Sequence, residues 1–137
     1  FTLCDTVGLA DPKQVREFVK ASMEEFPDSH FEVHIHDTRG MGLVNTLAAV
    51  EVGVNGVQST LGGLGGCPFA PGASGNTATE DLVLMFNEIG FDTGIAFDKI
   101  LAAAKKEHEE VEGNYSGHNI MIQKNTGCCT PPQQHND

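Results

Sequence analysis

Two histidines, His34 and His36, stand one residue apart and directly before Asp37-Thr38-Arg39-Gly40. Neutral imidazole is the commonest protein ligand for metal ions. The run Phe31-Glu32-Val33-His34-Ile35-His36 alternates apolar with polar residues. In a strand that alternation turns Phe31, Val33 and Ile35 to one side and both imidazoles to the other, so the pair forms a two-pronged ligand set at a strand end. A solitary H-x-H is more often solvated surface, and its chemistry therefore depends on what the rest of the chain brings to it.

The elements that would position this pair follow from the pattern around it. Phe1–Cys4 reads as a short strand and Asp5 to Ala10 as the loop after it. Asp11 is a natural N-cap with Pro12 at the first helical position. Val15, Phe18, Val19, Met23 and Phe26 then lie on one face of an amphipathic helix that ends before Pro27. After the histidine strand a second helix is expected over Met41–Val52, with Val44, Leu47, Ala48 and Val52 inward and Gly53 as its stop. Val54–Leu61 reads as a third strand. Gly62-Gly63-Leu64-Gly65-Gly66-Cys67-Pro68 is too rich in glycine for an element interior, and a mobile loop is expected from there to about Asn76. Thr77-Ala78-Thr79-Glu80 has capping-box spacing and opens a helix through Leu82, Val83, Phe86 and Ile89. A last helix is expected over Ala96–Val111, with a domain over residues 1–112 and a largely disordered extension over 113–137. Strand and helix alternate three times, which implies an α/β fold with parallel strands and right-handed crossovers. Functional residues then gather at the carboxyl ends of the strands, where Asp5, His34 and His36 fall.

The chain has 137 residues, with 8 basic against 19 acidic side chains and a net charge of −11. That balance argues against nucleic acid and against an anionic membrane face as partners. No apolar run approaches the roughly 20 residues that span a bilayer, and no signal peptide opens the chain. Cys4, Cys67, Cys128 and Cys129 show neither zinc-finger spacing nor the density of a secreted scaffold, which favours a reducing compartment. Phe1 in place of Met suggests that the natural N-terminus lies upstream.

Three segments together are distinctive: DTVGLADP, HIHDTRGMGLVNTLAA and GGLGGCPFAPGASGNTATEDL. They resemble the 3-hydroxy-3-methylglutaryl-CoA lyase family, the HMGL-like branch of the DRE-TIM metallolyases, over about Leu3 to Ile95. The resemblance implies the C-terminal three βα units, sixth to eighth, of a (β/α)₈ TIM barrel, which takes roughly 250 residues when complete. It implies a retro-aldol cleavage of 3-hydroxy-3-methylglutaryl-CoA to acetyl-CoA and acetoacetate, in the cytoplasm or, in a eukaryote, the mitochondrial matrix. The family's opening strand carries an Arg-Asp pair, the Asp a metal ligand and the Arg an enolate stabiliser, and neither has a counterpart here. The chain is therefore expected to be a fragment, or to associate with copies of itself or with the missing N-terminal half.

By the same resemblance His34, His36 and Asn76 are metal ligands, and His34, Cys67 and Asp5 are catalytic. Two imidazoles with amide and carboxylate oxygens suit Mg²⁺ or Mn²⁺. A tetrahedral Zn²⁺ set of His34, His36 and Cys67 is the rival, weakened because four glycines flank that cysteine and hold it poorly. Taken alone, Asn76 reads as a helix cap or turn residue, Cys67 as an idle thiol, and Asp5 as a cap for its own loop through Thr6. The family gives Cys67 the proton exchange with the product carbanion, with Gly63, Gly65 and Gly66 letting its loop close over substrate. Two departures stand near the site: Cys4 where a small residue is usual, and Gln58 where an acidic one is. They leave the acyl-CoA open, citramalyl-CoA being the near alternative. A truncated, non-catalytic module is the alternative of another class. Gly40-Met41-Gly42-Leu43-Val44-Asn45 lacks the third glycine of a dinucleotide fingerprint, no P-loop is present, and Glu107-His108-Glu109-Glu110 reads as a solvated helix face.

Overall fold

A computed structural model describes residues 1–66 and 75–122. The elements are β1 (Thr2–Asp5), α1 (Pro12–Glu25), β2 (Glu32–Ile35), α2 (Gly42–Val52), β3 (Gly56–Gln58), α3 (Thr79–Glu88) and α4 (Phe97–Glu110), with 3₁₀ turns at Leu61–Gly63 and Asn119–Met121. The strands form one parallel sheet in the order β1-β2-β3. The expected α/β alternation with a parallel sheet is therefore observed.

The sheet has one apolar and one polar face. Val33 and Ile35 turn toward α1 and α2 and are buried with Val15, Val19, Ala48 and Ala49. Removing a valine or isoleucine side chain from water is worth roughly 1.5–3 kcal/mol, so this small cluster is the main adhesive between helices and sheet. On the other face Cys4, His34 and Gln58 stand in register across the three strands. The Gln58 amide donates to Glu32 Oε2 at 2.8 Å and to Thr2 Oγ1 at 3.2 Å, forming a polar ladder one layer further from the strand ends.

Helix α1 starts as its sequence dictates. Asp11 accepts from the Gln14 amide at 2.9 Å while the Gln14 side chain accepts from the Asp11 amide at 3.0 Å, and Pro12 follows the cap. Only Val15 and Val19 of its apolar face are buried. Phe18 is 61% exposed because it projects past the β1 edge, over an open cleft of about 260 Å³ lined also by Leu3, Ala10 and Val33.

Helix α2 is rotated from the expected register. Val44 faces solvent, and Gly42, Asn45, Thr46, Ala48 and Ala49 face inward. The cause is the close approach at Gly42, where a Cβ would lie 2.4 Å from Thr77 Oγ1 and 2.7 Å from Asp37 Oδ1. Pinning residue 42 inward carries 45, 46 and 49 with it at helical spacing. Asn45 then ties the helix to the β1–α1 loop by donating to Ala10 O at 2.9 Å. Gly53 ends the helix in the left-handed conformation, as its position suggests.

The capping box expected at Thr77–Glu80 does not form. Ala78 occupies the N-cap position with no side-chain bond, because both box partners are taken by tertiary contacts. Thr77 Oγ1 donates to Ile35 O at 2.8 Å, and Glu80 Oε2 accepts from the Gly62 amide at 3.0 Å. Ile89, expected inward, is half exposed at the end of α3.

The part of the extension that is described, residues 113–122, packs against the domain rather than trailing from it. Ile120 is buried, and the Gly117 amide donates to Gly62 O at 2.8 Å. The boundary expected at residue 112 is thus not a packing boundary. Residues 123–137, with Cys128 and Cys129, lie outside the described residues. No described helix is long and apolar enough to cross a membrane.

Glu80 is fully buried, and its Oε1 has no partner among the described residues. Burial pushes its carboxyl above the ordinary range, with Asp81 and Glu107 adding to the rise and the Gly62 amide opposing it. A carboxyl whose folded pKa is raised binds more protons folded than unfolded, so stability falls as pH climbs from the ordinary carboxylate value through the raised one. Urea denaturation from acid to neutral pH should show this decline, and Glu80→Gln, which keeps an acceptor for Gly62, should flatten it.

Candidate metal centre

The segment after the Gly-rich stretch is stitched to the carboxyl end of β2. The Asp37 amide donates to Gly75 O at 3.0 Å and the Thr77 amide to Ile35 O at 3.1 Å, with His36 and Asn76 paired between them as an isolated antiparallel bridge. Two short runs distant in sequence are thereby laid side by side, and Asn76 joins the histidines.

Within this frame the imidazoles converge. His34 Nε2 and His36 Nε2 are 3.3 Å apart, with ring centroids 5.2 Å apart at 61°. His36 is 7% exposed, and its Nδ1 has no partner among the described residues. Burial lowers its pKa, the neighbouring His34 lowers it further, and the charge of Asp5 partly offsets both. A ring held neutral is a competent ligand. Asn76 donates through Nδ2 to Leu64 O at 2.9 Å, which leaves Oδ1 buried and without a partner among the described residues. An unsatisfied buried acceptor costs about 1–3 kcal/mol, so such an atom calls for an explanation. Two nitrogen donors and an orphaned amide oxygen fit a hard or borderline divalent cation. They form part of a coordination set, since no group of three His, Cys, Asp or Glu poised for a metal exists among the described residues.

Asp5 stands at the end of β1 with its carboxylate already engaged. Oδ1 accepts from the Gly8 amide at 2.9 Å and the Leu9 amide at 3.2 Å, and Oδ2 from the Ala10 amide at 3.0 Å. It caps its own loop, through residues 8–10 and not Thr6. Arg39, in the adjoining β2–α2 loop, donates to Leu9 O at 3.2 Å and closes the same loop from outside.

The Gly-rich segment is not free from its first residue, as expected from composition. Gly62 and Gly63 are buried in a 3₁₀ turn, and the Gly65 amide donates to Asn114 O at 3.1 Å. At Gly63, with φ of +67°, a Cβ would meet the Ser116 hydroxyl, so this glycine is demanded by close packing. Gly66 is exposed. Cys67, the expected catalytic thiol and rival zinc ligand, lies outside the described residues, as do residues 68–74. Sequence reasoning missed Asp81 and Ser116, which anchor the extension beside Asn76; their partners are 37 and 40 residues away, and no local pattern announces them.

The family model described as HMGL-like matches residues 1–106. The chain belongs to the HMGL-like family. Among its HMGL-like relatives, hydroxymethylglutaryl-CoA lyase YngG of Bacillus subtilis is 39% identical over 125 residues, covering 91% of this chain and 42% of that protein. The mitochondrial hydroxymethylglutaryl-CoA lyase of Mus musculus is 49% identical over 102 residues, covering 74% of this chain and 31% of that protein. An HMG-CoA lyase from Acinetobacter baumannii, solved in complex with coenzyme A and 3-methylmalate, superposes with a TM-score of 0.81 at 42% identity, over 96% of this chain and 43% of that one. The chain therefore spans less than half the length of these relatives. The HMGL-like match takes in Asp5, His34, His36 and Asn76, and ends before residues 107–122, which pack back on the domain.

Asp5→Ala should strip three backbone donors of their acceptor and lower stability by about 2 kcal/mol, whereas Asp5→Asn, retaining one acceptor, should lose less. Urea melts of the two variants check this; equal losses would mean that the carboxylate does not hold the loop.

Proposed function

We propose that the chain is the sixth to eighth βα units of a (β/α)₈ barrel and carries the histidine and cysteine part of the active site of a 3-hydroxy-3-methylglutaryl-CoA lyase. The observation that carries the reading is the convergence of His34 and His36 Nε2, 3.3 Å apart, beside an Asn76 whose amide oxygen is unspent. Its position in the barrel is supported by the chain beyond β3, which forms two helices and a packed extension, with no further strand among the described residues. Another unit of the alternation would start a new strand soon after α3.

In this reading His34, His36 and Asn76 hold a divalent cation, Mg²⁺ or Mn²⁺, with an acidic ligand from an upstream unit. When bound, the cation acidifies the substrate's tertiary hydroxyl and orients the bond to be broken. Loss of the hydroxyl proton to a base lets the carbon–carbon bond cleave. Its electron pair passes to the acetyl-CoA carbon as an enolate, and acetoacetate forms from the other half. The thiol of Cys67 gives that carbon its proton. Asp5 serves through position: its three amide bonds set the β1–α1 loop, and its charge reaches His36. Polyanionic partners are disfavoured by a net charge of −11, which leaves recognition of the acyl-CoA to local groups.

The A. baumannii relative was solved with coenzyme A and 3-methylmalate, a hydroxy-diacid, so a related acyl-CoA such as citramalyl-CoA is the second substrate reading. A non-catalytic module is the second functional reading, motivated by the partial coordination set among the described residues.

Calorimetric titration of Mn²⁺ into the chain should show binding that disappears in the His34→Ala, His36→Ala double variant; binding untouched by the substitutions would overturn the ligand assignment. Joined to the five preceding units of the B. subtilis relative, the chain should cleave 3-hydroxy-3-methylglutaryl-CoA. Cys67→Ser should lower kcat about 10²- to 10⁴-fold while sparing Mn²⁺ affinity. Unchanged turnover in that chimera would remove the cysteine from the mechanism, and no turnover in the unsubstituted chimera would favour the non-catalytic module.

A further inference from the structure

Asn76 is held from a direction that the motif does not suggest. Its backbone carbonyl accepts from the Ser116 hydroxyl, in the extension that follows α4. The same stretch receives the Gly65 amide on Asn114 O at 3.1 Å and gives the Gly117 amide to Gly62 O at 2.8 Å. It therefore touches both arms of the Gly-rich segment, Gly62–Gly65 on one side and Asn76 on the other.

One carboxylate locks this stretch in place. Asp81 on α3 has a side chain only 4% exposed, and its Oδ2 accepts from the His118 amide at 2.7 Å and from His118 Nδ1 at 3.0 Å. Its Oδ1 accepts from the Asn119 amide at 3.0 Å and from Asn119 Nδ2 at 2.7 Å. Four donors on one buried carboxylate make a charge-assisted clamp, much stronger than a single neutral contact. The fit around Ser116 is equally specific, because its hydroxyl occupies the space where any side chain at residue 63 would begin.

We infer that residues 114–119 are a brace for the metal centre, with Asp81 and Ser116 as positioning residues: Asp81 fixes 118–119, which holds Ser116 on the Asn76 carbonyl and so sets where the Asn76 amide oxygen lies. The inference rests on the reading of Asn76 as a cation ligand. It extends that reading to residues beyond the family match, which stops at residue 106. A ligand held on a short loop keeps its geometry only if its supports are rigid, and loss of such a support costs about 10- to 100-fold in metal affinity.

The test uses the whole chain, with Ser116→Ala and Asp81→Ala as variants and two readouts. Calorimetry with Mn²⁺ should show about 10-fold weaker binding in Ser116→Ala, with far-UV circular dichroism unchanged. Amide exchange followed by NMR should show faster exchange at Asp37 and Thr77, the two amides that stitch 75–77 to β2, in Ser116→Ala and more so in Asp81→Ala. Exchange that rises only within 114–122, or unchanged exchange and affinity in both variants, would overturn the brace. Should Asp81→Ala fail to fold, Ser116→Ala decides alone. Should the unsubstituted chain bind no Mn²⁺, the three ligands are insufficient without the upstream acidic one, and exchange at Asp37 and Thr77 decides the brace by itself.

Discussion

Two backbone hydrogen bonds, Asp37 N–H to Gly75 O and Thr77 N–H to Ile35 O, are the constraint on which the site depends. Parallel strands end in loops, and loops alone do not bring residue 76 to residue 36. A buried backbone needs its donors and acceptors paired. The two runs satisfy that need with each other, and the price is the freedom of the segment after the Gly-rich stretch. Thr77 strengthens the seam with its hydroxyl on Ile35 O, and Gly42 makes room for Thr77 against α2. The seam thus sets the rotation of α2, the start of α3 and the approach of Asn76 to the histidines at once.

The division of the sheet into two faces explains why polar chemistry is compatible with this core. Val33 and Ile35 point to the helices and carry the packing. Glu32 and His34 point the other way, into a layer where side chains satisfy one another across strands, as Gln58 does for Glu32 and Thr2. Parallel sheets are ordinarily covered on both faces. Here the polar face and both sheet edges lack such cover among the described residues, and Phe18 overhangs the β1 edge. Under the proposed barrel those are the surfaces that neighbouring units would close.

Local signals were legible in the sequence where the physics is local. The cap at Asp11 with Pro12, the stop at Gly53 and the alternation through Phe31–His36 all act within a few residues, and each element formed within two residues of its expected ends. The histidine pair and Asn76 were legible only together, the first from alternation and the second from the motif around it. What failed did so through tertiary competition. Thr77 and Glu80 have the spacing of a capping box, yet Ile35 and Gly62 claim their side chains. Val44 has the periodicity of a core residue, yet Gly42 needs the inner face. Glycines 62 and 63 have the composition of a free loop, yet their lack of Cβ is what lets Tyr115 approach the first and Ser116 the second.

The last of these carries the general point. Glycine enrichment is usually read as motion, because glycine has the widest backbone freedom. The same residue is the only one that permits contact between backbones, and the two uses predict opposite dynamics. At Gly62 and Gly63 burial, a 3₁₀ turn and bonds to Glu80 and Gly117 decide for contact. Residues 62–65 and 75–77 are then fixed arms, one held by Glu80 and Asn114 and the other by β2 and Ser116.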